Sequence, residues 1–377
     1  MEVGEKQLEV IDILHLSHAF DVKDGGISAC INQLISAQKN IDLSSKWVAG
    51  NSFSPLQRGS NLINQVIELD PKILHLHGLW RSHTRIAAKL SKKGFKYVLA
   101  PHGMVDSWSL SQSRLRKKLV WRIWESHAFK KAECIHALCP AEADAIRNLM
   151  PQKKIAIIPN GVEIPSENYE KKNIQLPKDW KEKIPEGASI ILFLGRFHKK
   201  KGIYELINAW EKISGLPLSK NWWLCLVGYG SDAKALINKV NANNIPRCLV
   251  FGPAFGKEKA DILRSANSFI LPSFSEGLPI AALEAMSFGL PCLLSSSCNL
   301  PEAYERGAAI SAEPDTPSLI ESLKRLFLLN ESQLISMSSA GKELVSYNYN
   351  WSKISNQTQQ LYEWINTKTN PPNFLQI

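Results

Sequence analysis

The chain has 377 residues, enough for two domains with a core each, and its 44% hydrophobic and 21% charged content is that of a globular protein. Apolar runs such as residues 190–194 are far too short to cross a bilayer, and the start MEVGEKQLEV is unlike a signal or transit peptide. A net charge of +10 points to phosphate-bearing partners without choosing among nucleic acid, anionic lipid and phosphorylated substrate.

Short apolar runs alternate with helix-length segments along the whole chain. In the first half the predicted strands are EVIDILHLS (9–17), KWVAG (46–50), KILHLHG (72–78), KYVLAPHG (96–103), CIHALC (134–139) and IAIIPNG (155–161). In the second half they are SIILFLGR (189–196), WWLCLVG (222–228), RCLVFGP (247–253), SFILPS (268–273) and PCLLSS (291–296). Near-continuous apolar strands separated by amphipathic segments predict parallel sheets covered on both faces, hence two doubly wound α/β domains. The polar, proline-bearing stretch 162–187 is the expected linker, dividing an N-terminal domain (1–170) from a C-terminal one (171–350). Residues 351–366 read as a final amphipathic helix packing back on the first domain, followed by a loose TNPPNFLQI end. The seven cysteines include no C-x-x-C pair and several sit inside apolar runs. They are expected to be buried thiols of a reducing cytoplasm.

The basicity has an address. Residues 81–131 hold thirteen Lys/Arg against Asp106 and Glu125, a local charge of +11. Within them, SQSRLRKKLVWRIWESHAFKKA (111–132) interleaves bulky apolar positions 115, 119, 120, 123 and 124 with cations. Two readings stand: a helix lying on an anionic membrane face, or a core-facing helix with a solvated basic side. No reading helix or stacking motif accompanies the cations, so no nucleic-acid partner is predicted.

Three segments of the second half carry chemistry. In the first, Gly195-Arg196-Phe197-His198-Lys199-Lys200-Lys201-Gly202, a strand ends and Ile203 opens a helix. Arg196 and Lys201 thus stand at a strand's C-terminal edge beside free helix N–H groups, an arrangement suited to a diphosphate. The alternative is a solvated basic loop. In the second, Gly228-x-Gly230-x-x-Ala233 has the look of a dinucleotide fingerprint, but no acid stands some 20 residues on. A tight turn admitting a ligand to the backbone is the better reading. The third, SEGLPIAALEAMSFGLP (275–291), places Glu276 on the loop leaving a strand and Pro279 at the first helical position. Glu284 then falls about one and a half turns into the helix. Eight helical residues leave the carboxylates about 80° apart, which excludes a same-face metal clip. They instead flank a helix N-terminus lined by small residues, where sugar or ribose hydroxyls can settle. A capping acid and a surface glutamate are the bland alternative.

The spacing E-G-L-P-x-x-x-x-E-A-M-x-x-G-x-P, with G-R-x-x-x-x-K-G about 80 residues before it, resembles the retaining GT-B glycosyltransferases of family 4. The resemblance covers nearly the whole chain. It includes Asp24-Gly25-Gly26-Ile27 after the first strand and IPNGV (158–162) before the linker; HLHGLW (75–80) and PHGMVDSW (101–108) resemble bacterial members that build surface polysaccharides.

The resemblance implies a GT-B fold of two Rossmann-like domains facing a central cleft. It implies a nucleotide-diphosphate sugar as donor and a glycan or lipid-linked acceptor; with the cysteine usage and the membrane reading of 111–132, the expected location is cytoplasmic and peripheral to the membrane. Glu284 corresponds to the acid that binds the ribose diol and Glu276 to the one that contacts the transferred sugar, with Gly277 and Leu278 facing sugar hydroxyls. Arg196 and Lys201 neutralise the diphosphate, with Gly195 and Gly228 in the adjoining turns. Gly25 and Gly26 match the glycine loop near the donor phosphate, and His102 a histidine facing the donor sugar. His77 is placed on the acceptor side, while Glu142 serves equally well as a first-turn acid of its own helix. No D-x-D is present, so neither a cofactor nor an obligatory metal is expected. The family's usual E-G-F-G-x-P is here Glu276-Gly277-Leu278-Pro279, two residues shorter before the proline. A sugar-nucleotide epimerase of the same fold and a nonenzymatic sugar-nucleotide or glycan binder are the competing functions.

Overall fold

The structure is a computed structural model that describes residues 10–20, 26–166 and 174–377. They form two compact units: the described residues up to Gly161 together with Trp351–Ile377, and Val162–Asn350.

The first unit is built on strands β1 (Ile13–Ser17), β2 (Ser45–Ala49), β3 (Ile73–His77), β4 (Tyr97–Ala100), β5 (Cys134–Ala137) and β6 (Ile155–Ile157). The second is built on β7 (Ser189–Arg196), β8 (Trp222–Tyr229), β9 (Cys248–Phe251), β10 (Ser268–Leu271), β11 (Cys292–Leu294) and β12 (Ala309–Ser311). A final strand, β13 (Leu375–Gln376), returns to the first sheet. The sheet orders are β13-β6-β5-β4-β3-β1-β2 and β12-β11-β10-β7-β8-β9. Every pairing is parallel except β13 on β6. β1, β3, β4, β5, β10 and β11 are buried along their whole length, which is why they read as near-continuous apolar runs broken only by histidine and serine.

The end of the chain departs from expectation. TNPPNFLQI is not loose: Ile157 N–H donates to the Phe374 carbonyl (3.0 Å), and Leu375 is buried against the edge of the sheet. Burial of one leucine and pairing of a two-residue strand hold it there, features too short to show as a period. The helix Trp351–Thr367 packs beside Gly26–Lys39 on one face of the first sheet, burying Ile354, Leu361, Tyr362, Trp364 and Ile365 against Ile13, Ile73 and Val98. The other face is covered by helices that include Arg58–Leu69, Ser82–Lys92 and Pro140–Leu149. All seven cysteines are buried free thiols, and among the described residues no helix is long and apolar enough to cross a membrane.

Candidate active site

In the second unit the connection from β7 to the helix Ile203–Ile213 meets the loop leaving β10. The short turn Lys199–Lys201 ends at Gly202, whose φ of +65° lies in the left-handed region. A side chain there would also meet the Pro272 carbonyl at 2.0 Å, so only glycine brings the two loops this close. Phe274 N–H donates to the Lys200 carbonyl (2.8 Å), closing the junction.

Across it, Lys201 Nζ reaches Glu276 Oε1 at 2.5 Å, and the Ser273 hydroxyl donates to the same oxygen at 2.5 Å. Asn299 Nδ2 holds the loop from behind through the carbonyls of Glu276 (2.7 Å) and Gly277 (3.4 Å). Leu278 packs on the core below. The helix itself runs Ile280–Ser287, so Pro279 lies one residue ahead of it rather than at its first position. Glu284, in its second turn, pairs with Lys259 of the helix Gly256–Ser265 (2.6 Å). Each carboxylate therefore spends Oε1 on a lysine, and among the described residues no hydrogen bond is made to either Oε2. Arg196 ends β7 exposed. Lys201 and Glu276 are thus in contact, while Lys259, Ser273 and Asn299 escaped sequence reading because no motif surrounds them.

The glycines sort differently from expectation. Gly195 and Gly228 are partners in the β7–β8 register, and a side chain on Gly228 would meet the Gly195 carbonyl at 1.9 Å. Strand packing by itself requires a glycine at 228. Gly26 opens its helix exposed, with open space where a side chain would stand. Gly25 lies outside the described residues.

The first unit holds a separate cluster of histidines. His75 and His77 alternate onto one face of β3, and His15 lies beside His75 in register, so three imidazoles share that face. His77 Nδ1 is 2.9 Å from His102 Nε2, and His77 Nε2 is 2.9 Å from His15 Nδ1. Burial lowers all of them, His15 to about 4 and His102 to about 3, so they are neutral at physiological pH. His102 sits in the turn after β4 with φ +55°, and Glu142 anchors that turn. One carboxylate oxygen of Glu142 accepts Gly103 N–H (2.6 Å) and the other Leu138 N–H (2.8 Å). Burial pushes Glu142 up to about 7 against those two donors. Glu142 does stand in the first turn of its helix, yet its bonds run to the loop of His102.

His15, His75 and His77 place one nitrogen each within 4.8 Å of one another, the spacing of a metal set. Both ring nitrogens of each already serve in hydrogen bonds, so a metal ion would have to displace them.

The basic segment answers one open question. No residue of the helix Arg114–Val120 is buried, and Leu115, Leu119 and Ile123 are 83%, 60% and 58% exposed. The segment divides: Trp121 packs on the core and Ala128 and Phe129 are buried in it, whereas Leu115, Leu119 and Ile123 form an exposed apolar stripe at i, i+4, i+8 flanked by Arg114, Arg116, Lys118 and Arg122. A π turn, Trp121–Glu125, follows, and Glu125 is buried at its end, accepting Trp80 N–H (2.6 Å) and the Thr84 hydroxyl (2.5 Å). Beside it lies a cavity of about 440 Å³, walled by Trp80, Leu110, Trp121 and Leu149 and edged by Arg114, Lys117 and Lys118.

Comparison with known proteins agrees with this architecture. Residues 43–164 match the family described as Glycosyltransferase Family 4, and residues 175–344 the one described as Glycosyl transferases group 1. The chain belongs to this family: it is a GT-B glycosyltransferase of a retaining, nucleotide-sugar-dependent class. It is 23% identical to an uncharacterized 41.2 kDa protein in the cps region of Klebsiella pneumoniae, over 78% of this chain and 84% of that one. It is 31% identical to the UDP-Gal:alpha-D-GlcNAc-diphosphoundecaprenol alpha-1,3-galactosyltransferase of Escherichia coli, over 56% and 54% respectively. Sucrose-phosphate synthase from Thermosynechococcus elongatus shares the fold with a TM-score of 0.76 at 19% identity, over 95% of this chain and all of that one. HepE of Anabaena, solved with UDP-glucose, does so with a TM-score of 0.71 at 14% identity, over 94% and 99%.

Proposed function

We propose that this glycosyltransferase moves a sugar from a nucleotide-diphosphate donor to a glycan or lipid-linked acceptor of surface polysaccharide synthesis, at the cytoplasmic face of a membrane. The observation that carries the reading is the pair of lysine-held carboxylates, Lys201–Glu276 and Lys259–Glu284, at the N-terminal end of one helix. Each leaves an acceptor oxygen for a hydroxyl: Glu276 for the transferred sugar, Glu284 for the ribose diol. Arg196 and Lys201 neutralise the diphosphate and stabilise the charge that grows on it as the glycosidic bond breaks. The leaving phosphate takes the acceptor's proton on the face it departs from, so configuration is retained without a protein nucleophile. His102 contacts the sugar, and no metal ion is required. The UDP-glucose bound to HepE and the lipid diphosphate in the name of the E. coli relative support this donor and acceptor chemistry. The acceptor's diphosphate suits the cations at the rim of the Trp80–Trp121 cavity, and the Leu115–Leu119–Ile123 stripe suits an anionic lipid surface.

Thermal shifts with UDP-, GDP- and ADP-sugars test the centre of this reading. One donor class should raise the Tm of the wild type, and Glu284→Ala should abolish most of that shift. If no nucleotide sugar shifts the wild type, the donor assignment is wrong; if Glu284→Ala binds equally well, the ribose role belongs elsewhere.

A further inference from the structure

A single file of hydrogen bonds crosses the first sheet and ends at His102. It begins at the Ile158 main-chain carbonyl, which can only accept. His136 Nε2 lies 2.7 Å from that oxygen and must carry the hydrogen. A neutral imidazole has one donor and one acceptor, so His136 Nδ1 accepts from His75 Nε2 (3.2 Å), and His75 Nδ1 accepts from the Tyr362 hydroxyl (2.8 Å). With its hydrogen committed, the Tyr362 oxygen accepts from Gln38 Nε2 (3.4 Å). That fixes the Gln38 amide, whose Oε1 accepts from the Ser45 hydroxyl (2.7 Å) and from His15 Nε2 (3.0 Å). His15 Nδ1 then accepts from His77 Nε2, and His77 Nδ1 from His102 Nε2, both at 2.9 Å. Reversing any one ring would face two hydrogens or two lone pairs across a buried contact, leaving polar groups unpaired. His15, His75, His77 and His136 are buried, and burial keeps every imidazole of the file in the neutral form, with one donor and one acceptor nitrogen.

We propose that this file is a tautomer relay: it holds His102 as the Nε2–H form and presents its Nδ1 lone pair to accept a sugar hydroxyl. The inference rests on the reading that His102 touches the substrate. Gln38, His15, His77, His75, His136 and Tyr362 are then positioning residues, acting through the one proton they place. Among the described residues no hydrogen bond is made to His102 Nδ1, and His102 is partly exposed where the buried file ends. A histidine free to choose its tautomer would present a donor part of the time and lose the hydroxyl contact for that fraction.

The test reads the tautomer directly. In protein labelled with 15N-histidine, long-range 1H–15N correlation should show His102 protonated at Nε2 alone. His77→Leu removes the acceptor for that proton; His102 should become a tautomer mixture, with kcat down about 10-fold or more and donor KM little changed. His77→Gln can accept from His102 through its amide oxygen and donate to His15 through its amide nitrogen, so it should restore the Nε2–H signature and most of the turnover. The relay is overturned if wild-type His102 carries its proton on Nδ1, or if His77→Leu leaves tautomer or kcat unchanged in a folded protein. It is likewise overturned if the wild type takes up one equivalent of Zn(II) on its histidines at neutral pH. The tautomer readout needs no substrate, so it stands or falls separately from the donor assignment.

Discussion

The polar clusters of the two units are built in opposite ways. In the second unit the site is ionic: two carboxylates, each tied to a lysine, with 10% and 20% of the Glu276 and Glu284 side chains exposed. On the proposed function, ligand oxygens and hydroxyls replace such bonds one for one, and the pairs keep the charges in place until then. In the first unit the site is neutral: five imidazoles, a phenol and an amide in which each proton has a single position. Ionic pairs select for charge, whereas a neutral file selects for donor or acceptor character at one atom.

The sharpest way to break this contrast is to remove one cation. Lys201→Ala should reduce transfer about 10²–10³-fold in single-turnover assays, since it both strips the diphosphate of its countercharge and releases Glu276. An effect under about 5-fold would mean that Arg196 alone carries the phosphates. Close behind is Gly202→Ala, which forces a side chain onto the Pro272 carbonyl at a positive φ. It should cost about 3 kcal/mol or more in urea unfolding followed in the second unit, because backbone rather than a mobile side chain must give way.

Glu142 is the acid of the neutral side, and its sign is opposite to that of a paired carboxylate. Its native value, about 7, lies above the ordinary 4.5, so its contribution to stability is complete below about pH 4.5 and is lost as pH rises through about 7. Wild type should therefore lose stability relative to Glu142→Gln between about pH 5 and pH 8, by at most about 3 kcal/mol. A constant difference across that range would show that the two N–H donors already hold the carboxyl ionised. The smallest effect concerns the exposed stripe. Leu115→Gln, Leu119→Gln and Ile123→Gln together should weaken sedimentation with phosphatidylglycerol vesicles about 10-fold while leaving the fold untouched, since none of the three is buried. Equal binding by the triple variant would leave only the cations as a surface anchor.

Most of the architecture was legible because buried parallel strands announce themselves as apolar runs of four or more residues. What escaped was short: β12 is three residues, with only Ile310 buried, and β13 is two residues behind a pair of prolines. In the proposed site, fixed spacing singles out Glu276, Glu284 and Lys201. It does not single out Lys259, because KEKAD is indistinguishable from any solvated helix face. The histidine file left a signal that went unused: ILHLS, ILHLH and CIHA each carry a histidine in the middle of a strand with no other polar interior. One such residue is ordinary, but three on strands β1, β3 and β5 of one parallel sheet need partners inside the protein. Gln38 and Tyr362 supply them from opposite ends of the sequence, and no local pattern links residues 324 apart.

That separation has a consequence for how the protein is made. The second unit is one continuous stretch, whereas the first needs Trp351–Ile377 to cover its sheet. During synthesis those residues leave the ribosome only after the whole of Val162–Asn350 has done so, and domains fold as they emerge. The nascent first unit must therefore wait with His75 and Gln38 facing a missing phenol, and the proton on His102 receives its address only when Tyr362 docks.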